Sequence, residues 1–339
     1  MHIALDAMGS DHGSEELIAG ALLAVKQGNL RVSLVGDRDL LQRYLETLGP
    51  DAGTLAKVNI VHASEVVGMN EHPVDAVRKK KDASVVVAFD LVSKGEADAA
   101  VSAGNSGATL AAGVRKLGRL QGVARPGIAS CFPTMKEPVV LMDIGANVDC
   151  RSLHLFQFAV MASAFARVNN VKNPRVGLLT IGEETGKGNS LVKETYPLLA
   201  ASSLNFIGNV EGRDVFQGNV DVIVCDGFVG NICLKVSEGL AEAAMQMLRD
   251  EIVKSLSAKV GYLLARNAFK SFRRRVDYAE YGGAPLLGLD GVGIICHGTS
   301  SAQAIKNAIL GAAVLVKKNI NQDIIASLAS AGSVEHVEL

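Results

Sequence analysis

The sequence has no tryptophan, and aromatic residues make up only 4% of its 339 positions. Hydrophobic residues still reach 48%, so Ala, Val, Ile and Leu must fill the interior, which suits strands buried on both faces beneath helices. Neither sign of charge dominates. The 34 Lys and Arg stand against 35 Asp and Glu, a net charge of −1, so global charge selects no polyanionic partner. Near-neutral charge with few aromatics also leaves no extended footprint for nucleic acid. The cysteines Cys131, Cys150, Cys225, Cys233 and Cys296 form no CxxC pair. A scattered, odd set reads as buried reduced thiols in a reducing compartment. No apolar run suits a bilayer: the uncharged stretch from Ser152 to Ala166 is too short and reads as a buried helix. Asp6 places a charge too early for a secretion signal. The expectation is a cytoplasmic protein.

What is present is a rhythm. Short apolar, β-branched runs recur at Ile3–Ala7, Val32–Gly36, Val58–Val61, Ala99–Ala103, Ile128–Phe132, Val139–Asp143, Val176–Ile181, Phe206–Asn209, Val222–Cys225 and Gly293–His297. Most are followed by Gly, Asn or Asp and then by a helical pattern. The 35 glycines are too many for helix interiors and belong in those turns. Strand–turn–helix repetition predicts βαβ units and a mainly parallel sheet in a three-layer, Rossmann-like αβα fold. Length alone favours two domains, but no linker or repeat divides the chain, so 1–339 is read as a single α/β domain on one continuous sheet.

One stretch breaks the rhythm. From Ile232 the apolar positions Val236, Leu240, Met247, Ile252, Val260 and Leu263 keep a helical period for too long for a crossover helix. The expectation is a projecting arm over 236–276, turning near Ser257–Gly261 and returning through Asn267–Val276. From Lys254 to Arg275 it carries Lys259, Arg266, Lys270, Arg273, Arg274 and Arg275 with no acid, beside Val260, Leu263 and Leu264. Such a segment fits an anionic membrane surface or an acidic protein, and equally a dimerisation arm with a solvated charged face.

The candidate chemistry sits in turns after strands. In Ser102-Ala-Gly104-Asn105-Ser106-Gly107-Ala108, small residues let backbone N–H groups approach an anion at a helix start. The same residues make an ordinary capped turn. The segment matches neither a Walker loop nor a G-x-G-x-x-G fingerprint. Lys187, in Gly186-Lys187-Gly188-Asn189, can reach a phosphate or carbonyl oxygen, or be an exposed loop lysine. Glu183 and Glu184 are available to hold it. Asn231, in Cys225-Asp-Gly-Phe-Val-Gly-Asn231, either donates to an oxyanion or caps a helix. Asp143 and Asp149 lack the companions of a metal site, so a structural turn and no metal is expected. His297 reads as a base, a substrate donor or a turn histidine.

Together and in order, these segments resemble the PlsX acyl-carrier-protein:phosphate acyltransferases. The resemblance rests on Asp6-Ala-Met-Gly-Ser-Asp, Ser102-Ala-Gly-Asn-Ser-Gly-Ala, Asp143-Ile-Gly-Ala-Asn, Ile181-Gly-Glu-Glu with Lys187-Gly-Asn, Cys225-Asp-Gly-Phe-Val-Gly-Asn and Gly282-Gly-Ala-Pro-Leu-Leu-Gly. It implies a fold similar to the isocitrate and isopropylmalate dehydrogenases without their nucleotide chemistry. It also implies a homodimer in bacterial phospholipid synthesis, peripheral membrane contact through the arm, and Lys187 and Asn231 at the family's catalytic positions. No cofactor is implied. The expected substrates are an acyl-[acyl carrier protein] and inorganic phosphate. Gly104, Asn105, Ser106, Gly107, Gly188, Asn189 and His297 are the expected phosphate and substrate contacts. Phosphate would attack the thioester directly, with Lys187 and Asn231 orienting it and stabilising the oxyanion. The acidic carrier would meet Arg115, Lys116 and Arg119, or Arg273–Arg275. An apolar groove beside the arm or at the dimer interface would take the acyl chain.

Overall fold

The computed structural model describes residues 1–11, 13–276 and 282–331. Its strands are β1 (His2–Asp6), β2 (Arg31–Gly36), β3 (Val58–His62), β4 (Ala99–Ser102), β5 (Gly127–Phe132), β6 (Val139–Met142), β7 (Val176–Leu179), β8 (Phe206–Val210), β9 (Val222–Val224), β10 (Ala284–Leu287) and β11 (Val292–Ile295). The helices are α1 (Ser14–Gln27), α2 (Arg38–Leu48), α3 (Ala52–Leu55), α4 (Pro73–Lys79), α5 (Ser84–Ser93), α6 (Ser106–Leu117), α7 (Ser152–Val168), α8 (Ser190–Ala200), α9 (Gly227–Lys254), α10 (Leu256–Leu264), α11 (Arg266–Val276), α12 (Ala302–Lys317) and α13 (Ile320–Ser330).

All the strands join one sheet in the order β3-β2-β1-β4-β11-β10-β5-β6-β9-β7-β8. Strand alternation sorts side chains into two cores. Ile3, Leu5, Val101 and Ile294 face a layer built by α1, α7 and α12, while Ala4, Ala100 and Ile295 face α5 and α6. Both faces are covered, as the β-branched runs and scarce aromatics require. The uncharged stretch from Ser152 forms α7, buried almost all round. All five cysteines are free thiols, and burial pushes Cys131 and Cys296 up to about 12.

The sheet is parallel except at its middle. β10 runs antiparallel to both β11 and β5, and β5 antiparallel to β6. The strand pattern did not anticipate β10, because Pro285 normally excludes a central strand. Ala284 and Leu286 nonetheless pair with Ile295 and Gly293 of β11, between Gly283 and Gly288 at φ 79° and 91°. The consequence is a reversal of direction. Strands β1, β2, β3, β4 and β11 run one way, and β6, β7, β8 and β9 run the other.

The arm differs in detail from the expected hairpin. α9 is unbroken to Lys254, and the turn falls at Ser255 rather than at Ser257–Gly261. Ser255 Oγ accepts the Ala258 N–H at 3.4 Å and starts α10 there. Beyond Gly230 α9 has no buried residue, nor does α10. Among the described residues no helix is long and apolar enough to cross a membrane.

Candidate active site

The loops after β1, β4 and β11 leave one end of the sheet. In that first end Gly9 meets Gly104 so closely that a Cβ on Gly9 would lie 2.8 Å from the Gly104 Cα. Beneath them Asp6 is only 2% exposed. It accepts the Ser102 hydroxyl at 2.7 Å, and Ser102 Oγ accepts the Gly104 N–H at 3.1 Å. Burial raises the pKa of Asp6, against the hydrogen bonds that favour its charged form. Asn105 is committed to structure. Its Oδ1 accepts the Ala108 N–H at 3.0 Å and caps α6, and its Nδ2 donates to Met69 O at 2.9 Å. Ser106 and Gly107, in the first turn of α6, are exposed. His297 is exposed as well, its Nδ1 2.8 Å from Thr299 Oγ1.

The loops after β6, β7 and β9 leave the second end. Asp143 is wholly buried and accepts N–H groups from Ile128 at 3.1 Å, Ala146 at 3.1 Å and Asn147 at 2.7 Å, with Asn147 Nδ2 at 2.9 Å. Burial pushes its pKa up, opposed by these bonds, that of the Asn147 side chain foremost. The expected structural turn is what Asp143 makes. No cluster of metal-ligating side chains occurs among the described residues.

The first turn of α9 sits on this turn. Asp226 Oδ1 accepts the Val229 N–H at 2.9 Å, so Asp226, not Asn231, is the cap. A Cβ on Gly227 would stand 2.7 Å from Asn147 O. Asn231 follows, exposed, with its side chain over Gly145, whose missing Cβ would lie 3.5 Å from Asn231 Oδ1.

Lys187 belongs to the loop after β7, the strand beside β9. Glu184 O gathers that loop, accepting N–H groups from Gly186 at 2.9 Å and Lys187 at 3.1 Å and the Asn209 amide at 2.9 Å. Asn209 is a contributor the sequence did not flag, since nothing marks a strand asparagine as a loop tie. Glu183 pairs with Arg213 at 3.2 Å, so neither glutamate carboxylate holds the Lys187 ammonium, which has no ion pair among the described residues. Gly188, at φ 102°, packs on Thr180, where a Cβ would come within 2.6 Å of Oγ1. Asn189 Oδ1 caps α8 through the Val192 N–H at 3.0 Å.

One expectation therefore changes. Lys187 and Asn231 share an end of the sheet, but the Gly104–Gly107 loop and His297 lie at the opposite end of the same chain, because the strands they follow run in opposite directions. The basic trio on α6 and its exit also makes local contacts, with Arg115 and Arg119 exposed: Arg115 donates to Val77 O at 3.2 Å, Lys116 pairs with Asp90 at 2.6 Å and Arg119 donates to Ala124 O. On the arm, Lys259, Arg266 and Lys270 line a cleft of about 1100 Å³ against α9, with Tyr262 and Phe269. Leu256 and Leu264 are 81% and 84% exposed, and Val260 and Leu263 are exposed too. The side chains of Arg273, Arg274 and Arg275 lie outside the described ones. At the first end, an apolar cavity of about 560 Å³ opens between α7 and α12, lined by Val140, Phe165, Pro285, Ile294, Gly311 and Val314 among others.

This architecture is shared with phosphotransacetylases. The enzyme EutD from Staphylococcus aureus matches with a TM-score of 0.58 at 17% identity, over 95% of this chain and 94% of that one. A phosphotransacetylase from Streptococcus pyogenes matches at 0.57 and 18%, over 96% and 94%. The family described as fatty acid synthesis protein matches residues 1–323. Proteins named phosphate acyltransferase are 55% identical in Geotalea uraniireducens, over 95% of this chain and 92% of that protein, and 52% identical in Pelobacter propionicus, over 100% and 96%. The chain belongs to the fatty acid synthesis protein family, the PlsX acyltransferases.

Proposed function

We propose that the chain transfers the acyl group of an acyl-carrier-protein thioester to inorganic phosphate, with Lys187 and Asn231 as the catalytic pair. The observation that carries this reading is their placement. Lys187 stands on the loop leaving β7 and Asn231 near the start of α9, after the neighbouring strand β9, at the end where α7, α8 and α9 begin. Helix N-termini supply partial positive charge there. Among the described residues neither side chain makes a cap or an ion pair.

Phosphate is a poor nucleophile and is repelled by the charge it creates. A phosphate oxygen attacks the thioester carbonyl, the C–O bond forms, and negative charge collects on the former carbonyl oxygen. Lys187 and the Asn231 amide offset that charge and aim the phosphate. The intermediate collapses with loss of the C–S bond, and the carrier thiolate takes a proton from water. No enzyme nucleophile is required.

The acyl chain needs an apolar channel, and the cavity between α7 and α12 offers one in addition to the groove expected beside the arm or at the dimer interface. The protein works as a homodimer at an anionic membrane face. The exposed Val260, Leu263 and Leu264 of α10, with Lys259 behind them, support lipid contact. The exposed row Phe228, Ile232, Val236 and Leu240 on α9 supports an interface between copies. The test is acyl phosphate formation that depends on phosphate and prefers a carrier-protein thioester. Equal use of coenzyme A thioesters would redirect the reading toward the phosphotransacetylases.

A further inference from the structure

Three strands end side by side next to Lys187. β9, β7 and β8 are parallel neighbours, so the segments that follow them leave the sheet together, about 4.8 Å apart from strand to strand. The first leads to Asn231 and the second carries Lys187. The third is a 3-10 turn, Gly212–Phe216, that carries Arg213. Two hydrogen bonds join this third segment and its strand to the Lys187 loop. Asn209, 7% exposed in β8, donates to Glu184 O at 2.9 Å. Arg213 donates to the Glu183 carboxylate at 3.2 Å. On its other side Arg213 is held by Glu211, whose carboxylate lies 3.1 Å from Nε. These two carboxylates are not equivalent. The Glu211 side chain is 30% exposed and that of Glu183 63%. Glu211 also starts the turn, its N–H donating to Asp214 Oδ2 at 2.7 Å. Glu211 therefore fixes the guanidinium, while Glu183 is an exposed partner on a loop.

We infer that Arg213 binds the phosphate substrate beside Lys187, with phosphate taking the place on the guanidinium that Glu183 holds in the free chain. This rests on the function proposed above. Near neutral pH phosphate carries more negative charge than one ammonium offsets. A lysine is also a point charge, which attracts an anion without fixing its direction. A guanidinium grips two phosphate oxygens through parallel N–H bonds and so sets their plane. An anion held in that way keeps an oxygen free for the thioester carbonyl. The exchange is easy, because an exposed carboxylate–guanidinium pair contributes little to stability. Glu211 stays in place and keeps Arg213 at this end of the sheet. The other terminal nitrogen of Arg213 makes no hydrogen bond among the described residues, so donors remain for the second phosphate oxygen. Arg151 shares this end and is exposed, but it follows β6, two strands from β7. It serves as the control cation.

The test compares the two partners of one ion pair. If Arg213 only tied the Lys187 loop in place, Arg213→Met and Glu183→Gln would break the same tie and lower kcat alike. If Arg213 binds phosphate, the two variants move in opposite directions. Arg213→Met should raise the KM for phosphate about tenfold or more and leave the KM for the acyl carrier protein unchanged. Glu183→Gln removes the competitor and should lower the phosphate KM. Arg213→Lys keeps the charge but loses the fork, and should fall between wild type and Arg213→Met. Arg151→Met should match wild type. All these side chains are exposed, and circular dichroism checks that each variant is folded. An unchanged phosphate KM in Arg213→Met would overturn the inference. So would an equal loss of kcat in Arg213→Met and Glu183→Gln, or a rise in phosphate KM as large in Arg151→Met. A rise confined to the carrier substrate would assign Arg213 to the carrier and overturn it too. Calorimetric titration with inorganic phosphate alone separates this site from the reaction. Binding that weakens about tenfold in Arg213→Met, in a protein whose wild type forms no acyl phosphate, would uphold the site and sink the functional reading beneath it.

Discussion

A Cβ on Gly230 would stand 1.8 Å from the backbone oxygen of Asp143. Backbone cannot be displaced as a flexible side chain can, so the first turn of α9 reaches its place only because this residue is glycine. Asn231 is the next residue, and its position over Gly145 follows from that contact. Gly230→Ala should destabilise the protein by about 3 kcal/mol and move Asn231 away from the site. Urea unfolding and turnover measure the two effects. Unchanged unfolding with unchanged turnover would mean that α9 docks differently.

The ion pair between Arg175 and Asp221 gives a pH signature. The guanidinium donates to Asp221 at 2.9 Å through both Nε and one terminal nitrogen, and it holds the carboxyl below its ordinary 3.8. A depressed folded pKa contributes stability above the unfolded value, and that stability is lost as pH falls through the folded one. Arg175→Met should therefore cost about 1 kcal/mol at neutral pH after solvent screening. The difference from wild type should shrink as pH falls below 3.8. A gap that persists in strong acid would assign it to lost packing instead.

The arm can be altered without touching the core, because α10 buries none of its residues. Leu263→Glu with Leu264→Glu should leave the unfolding midpoint and soluble turnover essentially unchanged. Sedimentation with vesicles of anionic lipid should fall severalfold. Undiminished sedimentation would remove α10 as the membrane contact.

The cavity between α7 and α12 predicts a chain-length effect. A Cβ on Gly311 would meet only ordinary neighbours, Gly282 O at 3.6 Å and Ile294 Cδ1 at 3.8 Å. Leucine there favours the helix and fills the space. Gly311→Leu should slow long-chain substrates about tenfold relative to short ones. An unchanged preference would place the acyl chain elsewhere.

Much of this was readable in the sequence, for definite reasons. Strands such as Val176–Leu179, closed by glycine-rich turns, announce themselves through β-branching, and both-faced burial follows from their unbroken apolarity. β10 did not, because Pro285 speaks against a strand whose flanking glycines and antiparallel neighbours make it one. The reversal it creates was therefore invisible, and with it the separation of Ser106 from Lys187. Nor could local sequence sort the asparagines. Asn105, Asn189 and Asn231 all follow a strand and a glycine, yet the first two cap helices while the third lies a turn beyond the cap made by Asp226. The resemblance to a family pointed to Asn231 where spacing alone left the choice open.

The central claim is best tested by acyl phosphate formation from a long-chain acyl carrier protein and inorganic phosphate, in wild type, Lys187→Ala and Asn231→Ala. Both variants change exposed side chains, and circular dichroism should show them folded. The account predicts that turnover falls by about a hundredfold or more in each, while the wild type releases carrier thiol and acyl phosphate in equal amounts. Robust turnover in both folded variants would contradict it and move the active site away from the β7 and β9 loops.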